Sequence, residues 1–270
     1  MKEPNLKKAL GWAVDAANAA GLLMEKNLNR PKKMNHVEQH DIKLELDVRC
    51  QKTIENKLLK EFPEAAILGE EGVSGDQEAA YRWVVDPIDG TVNFTYGIPH
   101  ACVSIALQRR TKGVSAEPNP DAAYETVVGV VLDPFCHEIW TAIKGQSARL
   151  NGRKITVSSR TRLDESIITM GFAKTTETLN EMLPRFGNVI RKVRKVRIMG
   201  SAALALTYVA SGRFEAYWEG GIRLWDIAAG GLIVECAGGE FWNEPVNNDH
   251  TYRVIASNGL VRKKLLQAAG

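Results

Sequence analysis

The run Trp83-Val84-Val85-Asp86-Pro87-Ile88-Asp89-Gly90-Thr91 constrains this chain more than any other segment. An apolar stretch too short for a helix leads into two carboxylates three residues apart, with Pro87 fixing the backbone between them and Gly-Thr closing the segment. That pattern reads as a short buried strand that ends in a turn carrying both acids. Burying two unpaired carboxylates costs several kcal/mol each, so Asp86 and Asp89 either stay solvated or share a cation. Mg²⁺ is a hard cation of the right kind, held by a few carboxylates together with substrate phosphate. A second run, Leu224-Trp225-Asp226-Ile-Ala-Ala-Gly230, offers another carboxylate where an apolar helix begins. Taken alone, Asp226 is more simply a helix N-cap, and Glu70 in Gly69-Glu70-Glu71-Gly72 a solvated turn residue. Jointly the plain readings leave unexplained why acids gather after apolar strands, where α/β folds place their sites.

Other chemistries fail on spacing. An EF-hand loop counted from Asp86 puts Thr91 where Gly is needed and Gly97 where Glu is needed. The Asp-x-x-Asp spacing is not the Asp-x-Asp of haloacid-type phosphatases. Neither Cys-x5-Arg, a Walker loop, GxSxG nor HExxH occurs. With no protein nucleophile in view, an activated water is the natural attacker. If a helix begins at Gly90-Thr91, its free amides would receive phosphate oxygens.

Cys50, Cys102, Cys136 and Cys236 lie far apart, which implies free thiols and no zinc site. With no apolar leader and no run near membrane-spanning length, a cytoplasmic protein away from membranes is expected. Net charge is only +3, too small to argue for nucleic acid. The basic stretch Arg191–Arg197 is more simply a solvated helix end leading into a strand.

Periodicity predicts a helix on Leu6, Leu10, Val14, Ala17 and Leu22, and a second from Asp47 to Glu61 with Val48, Ile54, Leu58 and Leu59 inward. Strands are expected at 65–68, 83–85, 101–107, 127–132, 138–142, 154–157, 166–170 and 214–218. Helices are expected at 179–192, 202–211 and 226–237, the last capped by Asp226. The stretch up to Asp41 reads as a polar loop, and Arg109–Glu125 as an exposed one. Mixed strands and helices imply an α/β or α+β layered sandwich.

Asp86-Pro-Ile-Asp89-Gly-Thr91-x-Asn93-Phe94, with Trp225-Asp226-x-Ala-Ala-Gly230 downstream and Gly69-Glu70-Glu71 upstream, resembles the inositol monophosphatase family. Gly129-Val-Val-x-Asp133-Pro134, Leu150-Asn151-Gly152 and Met199-Gly200-Ser201-Ala202-Ala203 extend the likeness over nearly the whole chain. The resemblance implies an αβαβα sugar-phosphatase fold in one domain, with an N-terminal lobe to about residue 150 and a C-terminal lobe from about 151. It implies a homodimer that hydrolyses a small phosphorylated polyol or sugar with two or three Mg²⁺, inhibited by Li⁺. Glu70, Asp86 and the Ile88 carbonyl would hold one metal, and Asp86, Asp89 and Asp226 another, with Glu70 helping a weaker third. Thr91, supported by Asp47 and Glu70, would orient the attacking water, and the Gly90 and Thr91 amides would take the phosphate. Gly200, Ser201, Ala202, Glu219 and Asp226 would face the polyol hydroxyls, and Arg223 could contact a second anionic group.

Besides Arg223, which stands where His or Lys is common, two departures stand out. The family carries a Thr where Leu44 stands in Asp41-Ile-Lys-Leu44-Glu-Leu-Asp47, and the Arg109–Glu125 segment is longer than usual. Histidinol phosphate, fructose 1,6-bisphosphate and 3′-phosphoadenosine 5′-phosphate remain rival substrates. A regulator that binds RNA or a transcription partner is the reading from a different class, with nucleic acid the less favoured partner.

Overall fold

Three buried apolar clusters, the middle one surrounding its helices on both sides, hold together five layers of secondary structure in the computed structural model, which describes residues 4–32, 34–37, 42–111, 113–114, 119–173 and 175–270. In chain order the first part forms α1 (Leu6–Asn27), β1 (Met34–Val37), β2 (Ile42–Leu44), α2 (Glu45–Glu61), β3 (Ala66–Gly69), β4 (Gly72–Ser74), β5 (Tyr81–Asp89), α3 (Thr91–Thr95), β6 (Cys102–Arg110), β7 (Tyr124–Asp133) and β8 (Glu138–Ile143). There follow β9 (Arg149–Leu150), β10 (Arg153–Lys154), β11 (Ile167–Phe172), α4 (Thr176–Val189), β12 (Lys195–Arg197), α5 (Ala202–Ala210), β13 (Ala216–Arg223), α6 (Leu224–Cys236), β14 (Glu240–Pro245), β15 (Thr251–Ser257) and α7 (Arg262–Ala269).

An eight-stranded sheet runs β10-β9-β8-β7-β6-β5-β3-β4, and a five-stranded sheet runs β12-β11-β13-β15-β14. Helices α1 and α2 cover one face of the larger sheet, and α5 and α6 fill the space between the sheets. The outer face of the smaller sheet carries α4 and α7. The result is the expected αβαβα sandwich. Because both faces of the larger sheet are covered at its centre, β3, β5, β6 and β7 carry long buried apolar runs, while β4, β9 and β10 at its edges do not. In β5, Trp83 and Val85 face the α1–α2 side while Val84 faces α6. No described helix is long and apolar enough to cross a membrane.

Several expectations shift on contact with the structure. Helix α1 buries Ala9, Ala13, Ala16, Ala17 and Ala20 completely, while Leu22 is 53% exposed and Leu6, Leu10 and Val14 lie on the flank. The helix packs so closely on the sheet that small residues fill most of its buried face, with Met24 the one long side chain buried near its end. In α2, Ile54 and Leu58 are buried and Leu59 partly so, but Val48 is exposed. It stands two residues from both Leu46 and Cys50, which puts it on the opposite side of the helix.

The 109–125 segment is shorter as a loop than expected, because β6 and β7 extend into it and pair Arg109 with Glu125. Its distal end turns inward, with Asp121 and Ala123 buried. Of 154–157 only Lys154 is strand, since Val157 instead donates its N–H to the Ala237 carbonyl at the end of α6. In the stretch expected as a polar loop up to Asp41, Met34–Val37 is instead strand β1 paired with β2, and residues 33, 38–41, 112 and 115–118 lie outside the described residues.

Candidate active site

The strand β5 does not end at Asp86 but runs through Asp89, with a register slip between them. Residues three apart on a regular strand face opposite sides. Here Asp86 pairs opposite Ser104 and Asp89 opposite Cys102, so three steps on β5 match two on β6. This bulge brings both carboxylates to the face that looks toward α6. Pro87 sits in the bulge, where its missing donor costs no ladder bond. Asp86 Oδ1 accepts the Ile88 N–H at 2.9 Å and holds the bulge in shape.

Two helix N-termini meet these acids. Asp89 Oδ2 accepts from Ser201 Oγ at 2.6 Å and from the Ala203 N–H at 2.7 Å, and Oδ1 accepts from the Ala202 N–H at 3.3 Å. Asp89 thus caps α5, while Ser201 is that helix's N-cap residue. Asp226 is not the N-cap of α6 as expected but its third residue, with Oδ2 accepting the Arg223 N–H at 3.0 Å. Single carboxylate oxygens of Asp86, Asp89 and Asp226 all lie within 4.8 Å of one another. Glu70, at the end of β3 beside β5, lines the same cavity without belonging to that trio.

The electrostatics follow from this crowding. Burial first, then the neighbouring charges of Glu70, Asp226 and Asp89, push the Asp86 carboxyl well above the usual range. Burial, then Asp226 and Asp47, does the same to Glu70. Asp226 is pushed to about 8 by burial and by Asp89. Burial also lifts Asp89, although its bonds from Ser201, Ala203 and Ala202 pull the other way. No Lys, Arg or His is among the described residues that line the cavity. Such a cluster must take up protons or cations. An all-oxygen donor set of three carboxylates fits a hard divalent ion.

The cavity holds about 440 Å³. Its floor is completed by α3, where Gly90 has φ 93° and has no room for a side chain: a Cβ would lie 3.0 Å from the His100 carbonyl and 3.1 Å from that of Gly200. The first N–H groups of a helix have no acceptor within it, and Gly90 and Thr91, at the start of α3, line the cavity. The Thr91 hydroxyl donates to the Ile88 carbonyl at 2.9 Å. Asn93 Nδ2 donates to the His100 and Met199 carbonyls, both at 2.9 Å, and ties α3 to the segment before α5. On the far wall Glu219 accepts from the Tyr217 hydroxyl. Burial raises its carboxyl to about 7, and Asp89 adds to the shift.

Of the residues read from the sequence, Glu70, Asp86, Ile88, Asp89, Gly90, Thr91, Gly200, Ser201, Ala202, Glu219 and Asp226 line this one cavity. Two do not. Asp47 lies behind Glu70, where Oδ2 accepts the Leu44 N–H at 2.8 Å at the start of α2. Leu44 has no hydroxyl with which to bond in return. The Arg223 guanidinium turns away, to the Asp249 carbonyl at 2.7 Å, the Asp249 carboxylate at 2.9 Å and Thr251 Oγ1 at 2.8 Å.

Two contributors were not read from sequence. Tyr217 supplies a hydrogen bond to Glu219, and Gly171 pairs opposite Glu219 and leaves it room. The Glu219–Gly171 pairing depends on a parallel register that no local pattern reveals; the i, i+2 spacing of Tyr217 and Glu219 on one strand face was the available signal.

Carboxylates gathered against two helix N-termini in an αβαβα sandwich, together with a family model that matches nearly the whole chain, define the class, a phosphatase. The chain belongs to the inositol monophosphatase family, whose model matches residues 5–268. Nus factor SuhB of Pseudomonas aeruginosa is 38% identical over 242 residues, covering 87% of this chain and 84% of that protein. Inositol monophosphatase 1 of Solanum lycopersicum is 36% identical over 274 residues, covering 98% and 95%. The solved inositol monophosphatase from Anabaena superposes with a TM-score of 0.82 at 32% identity, covering 98% of this chain and 96% of that one. The extragenic suppressor protein suhB from Bartonella henselae gives 0.85 at 33% identity, covering 96% and 97%.

Proposed function

We propose that this phosphatase is a Mg²⁺-dependent phosphomonoesterase acting on inositol monophosphate or a related small polyol phosphate. The observation that carries the reading is a cavity with four acids around its floor and no cationic side chain among the described lining residues. A phosphate dianion enters such a cavity only with its charge already neutralised.

In this reading Asp86, Asp89 and Asp226 hold the metals, with Glu70 and the Ile88 carbonyl beside them. The chemistry Mg²⁺ supplies when bound is neutralisation of the phosphoryl oxygens and activation of a water. The Gly90 and Thr91 amides orient the phosphate, and the Thr91 hydroxyl, whose oxygen keeps its lone pairs, positions the attacking water. Asp47 supports this floor through its charge beside Glu70 and its hold on α2. Glu219, fixed by Tyr217, accepts from a substrate hydroxyl, and Gly200, Ser201 and Ala202 shape the wall beside it. Arg223 takes a structural part at the β14–β15 hairpin.

Phosphate release tests the reading across inositol 1-phosphate, histidinol phosphate, fructose 1,6-bisphosphate and 3′-phosphoadenosine 5′-phosphate, with and without Mg²⁺. Mg²⁺-dependent release with inositol 1-phosphate favoured and Li⁺ inhibiting is expected; no release from any substrate contradicts it. The family likeness also supports a homodimer, checked by sedimentation velocity. Gly171→Ala would set a Cβ 2.2 Å from Glu219 Oε2 and displace the carboxylate. We expect KM to rise about tenfold, ~1.4 kcal/mol, with kcat retained; an unchanged KM would remove Glu219 from the hydroxyl side.

A second reading draws on relatives named Nus factor SuhB. It makes this chain also a binder of a transcription partner or RNA. The exposed side chains of Arg191, Lys192, Arg194 and Lys195, at the end of α4 and on the edge strand β12, are its local support. Neutralising all four should abolish such binding and leave phosphate release unchanged. Parallel loss of both would deny separate roles.

A further inference from the structure

Asp121 sits at the inner end of the long β6–β7 connection, buried, and none of its partners touches the substrate cavity. Its carboxylate accepts from Arg82 Nη2 at 2.7 Å, from the Tyr252 hydroxyl at 2.7 Å and from His250 Nδ1 at 2.9 Å. Burial alone would lift this carboxyl, yet the bond from His250 and the charge of Arg82 hold it below its ordinary value. Arg82 belongs to β5, the strand that carries Asp86 and Asp89, and shares their α6-facing side. It is fixed by a 2.8 Å bond to Gln108 and lies over the Tyr124 ring at 3.9 Å.

At the other end, His250 is one of three non-glycine residues with positive φ among the described residues, at 66°. For such a residue this conformation needs something to hold it. In that conformation its carbonyl accepts the N–H of Leu224 at 2.9 Å, the first residue of α6. Asp226 is two residues further on. The neighbouring Asp249 holds Arg223, whose own N–H binds Asp226 Oδ2.

These contacts close a ring: β5 with Asp86 and Asp89, then Arg82, Asp121, His250, the first turn of α6, and Asp226 facing back to β5. We infer that Asp121 and His250 act as a clasp that positions Asp226 against Asp86 and Asp89 and so sets the affinity of the site for its metal. Both are positioning residues, remote from substrate. The clasp rests on the reading of the three carboxylates as metal ligands. Without the ring of His250 the hairpin turn keeps only the Tyr252 hydroxyl as its tie to Asp121 and β5, and the residue whose carbonyl holds the first N–H of α6 loses its own anchor. Supporting groups behind metal ligands typically matter by about 10- to 100-fold in metal affinity.

The test is calorimetric titration of the metal-free full chain with Mg²⁺, with thermal unfolding of each protein alongside. His250→Ala and His250→Gly should weaken Mg²⁺ binding by about 10- to 100-fold. His250→Asn should restore it close to wild type, because Asn Nδ2 stands where Nδ1 stands and Asn tolerates the left-handed region. The glycine variant has no backbone penalty at positive φ, so it carries the test if the alanine variant does not fold. A glycine variant with wild-type Mg²⁺ affinity would overturn the clasp, as would a fall in melting temperature with no change in affinity. Wild-type protein that takes up no Mg²⁺ would instead overturn the metal reading, and the clasp with it.

Discussion

Asp86→Asn should lower Mg²⁺-dependent phosphate release by about 10³-fold or more, while the metal-free protein becomes more stable, not less. The loss follows from removing a charged oxygen ligand from the centre of the cluster, where metal-borne charge stabilisation is worth several kcal/mol and each 1.4 kcal/mol is about tenfold in rate. The gain follows from the surroundings of Asp86, which is 1% exposed and raised by burial and by the charges of Glu70, Asp226 and Asp89. An asparagine keeps an oxygen for the Ile88 N–H, so the bulge survives. Asp89→Asn should also stop turnover, but it is a less clean probe. Asp89 caps α5 through both oxygens, and one of them would become an NH₂ group facing donors. Wild-type turnover in Asp86→Asn, or marked destabilisation of its metal-free form, would contradict this account of the cluster.

The melting temperature of the metal-free protein should fall as pH rises from about 5 to 8.5, and Mg²⁺ should reverse the fall. Asp226 and Glu219 have folded-state pKa values of about 8 and about 7, above their ordinary 3.8 and 4.5. Across that interval the folded chain holds protons that the unfolded chain has released. The stability linked to them is complete below the ordinary carboxylate pKa and is lost as pH climbs through the raised values. Each unit of real separation is worth about 1.4 kcal/mol, and a chain of this size moves by ~2–4 °C per kcal/mol. Mg²⁺ competes with those protons, so its stabilisation should grow with pH. Asp226→Asn should flatten the profile. Differential scanning calorimetry at several pH values, with and without Mg²⁺, reads all three effects. A metal-free protein that gains stability toward pH 8.5 would show that the acids are not crowded as described.

The chemistry of the site was legible because its acids stand in local sequence: Asp86 and Asp89 on one strand, Glu70 at a strand end, Asp226 at a helix start. Their arrangement was not. The register slip that turns Asp86 and Asp89 to one face exists only against Ser104 and Cys102 of β6, which no pattern within β5 discloses. The same holds for the α5 cap, where Asp89 meets Ser201 across more than a hundred residues of chain.

Helices α1, α2, α4, α5 and α6 were expected and α7 was not, and the buried face of α1 was misread. Periodicity weights leucine over alanine, and close packing on the sheet selects alanine. Arg223 was placed near the substrate by the family resemblance. The β14–β15 hairpin that claims its guanidinium was not among the expected elements. The long segment after Arg109 read as exposed from its Pro and Gly content, yet Asp121 is drawn inward by Arg82 on a strand far upstream.

The central claim is that Asp86, Asp89 and Asp226 form a metal centre. Its most direct test is an anomalous difference map from crystals grown with Mn²⁺ in place of Mg²⁺. The account predicts the strongest peaks between these three carboxylates, with oxygen ligands at roughly the 2.0–2.2 Å expected of small hard divalent ions. A map with no peak within reach of Asp86, at saturating Mn²⁺ and a pH above 8, would contradict it.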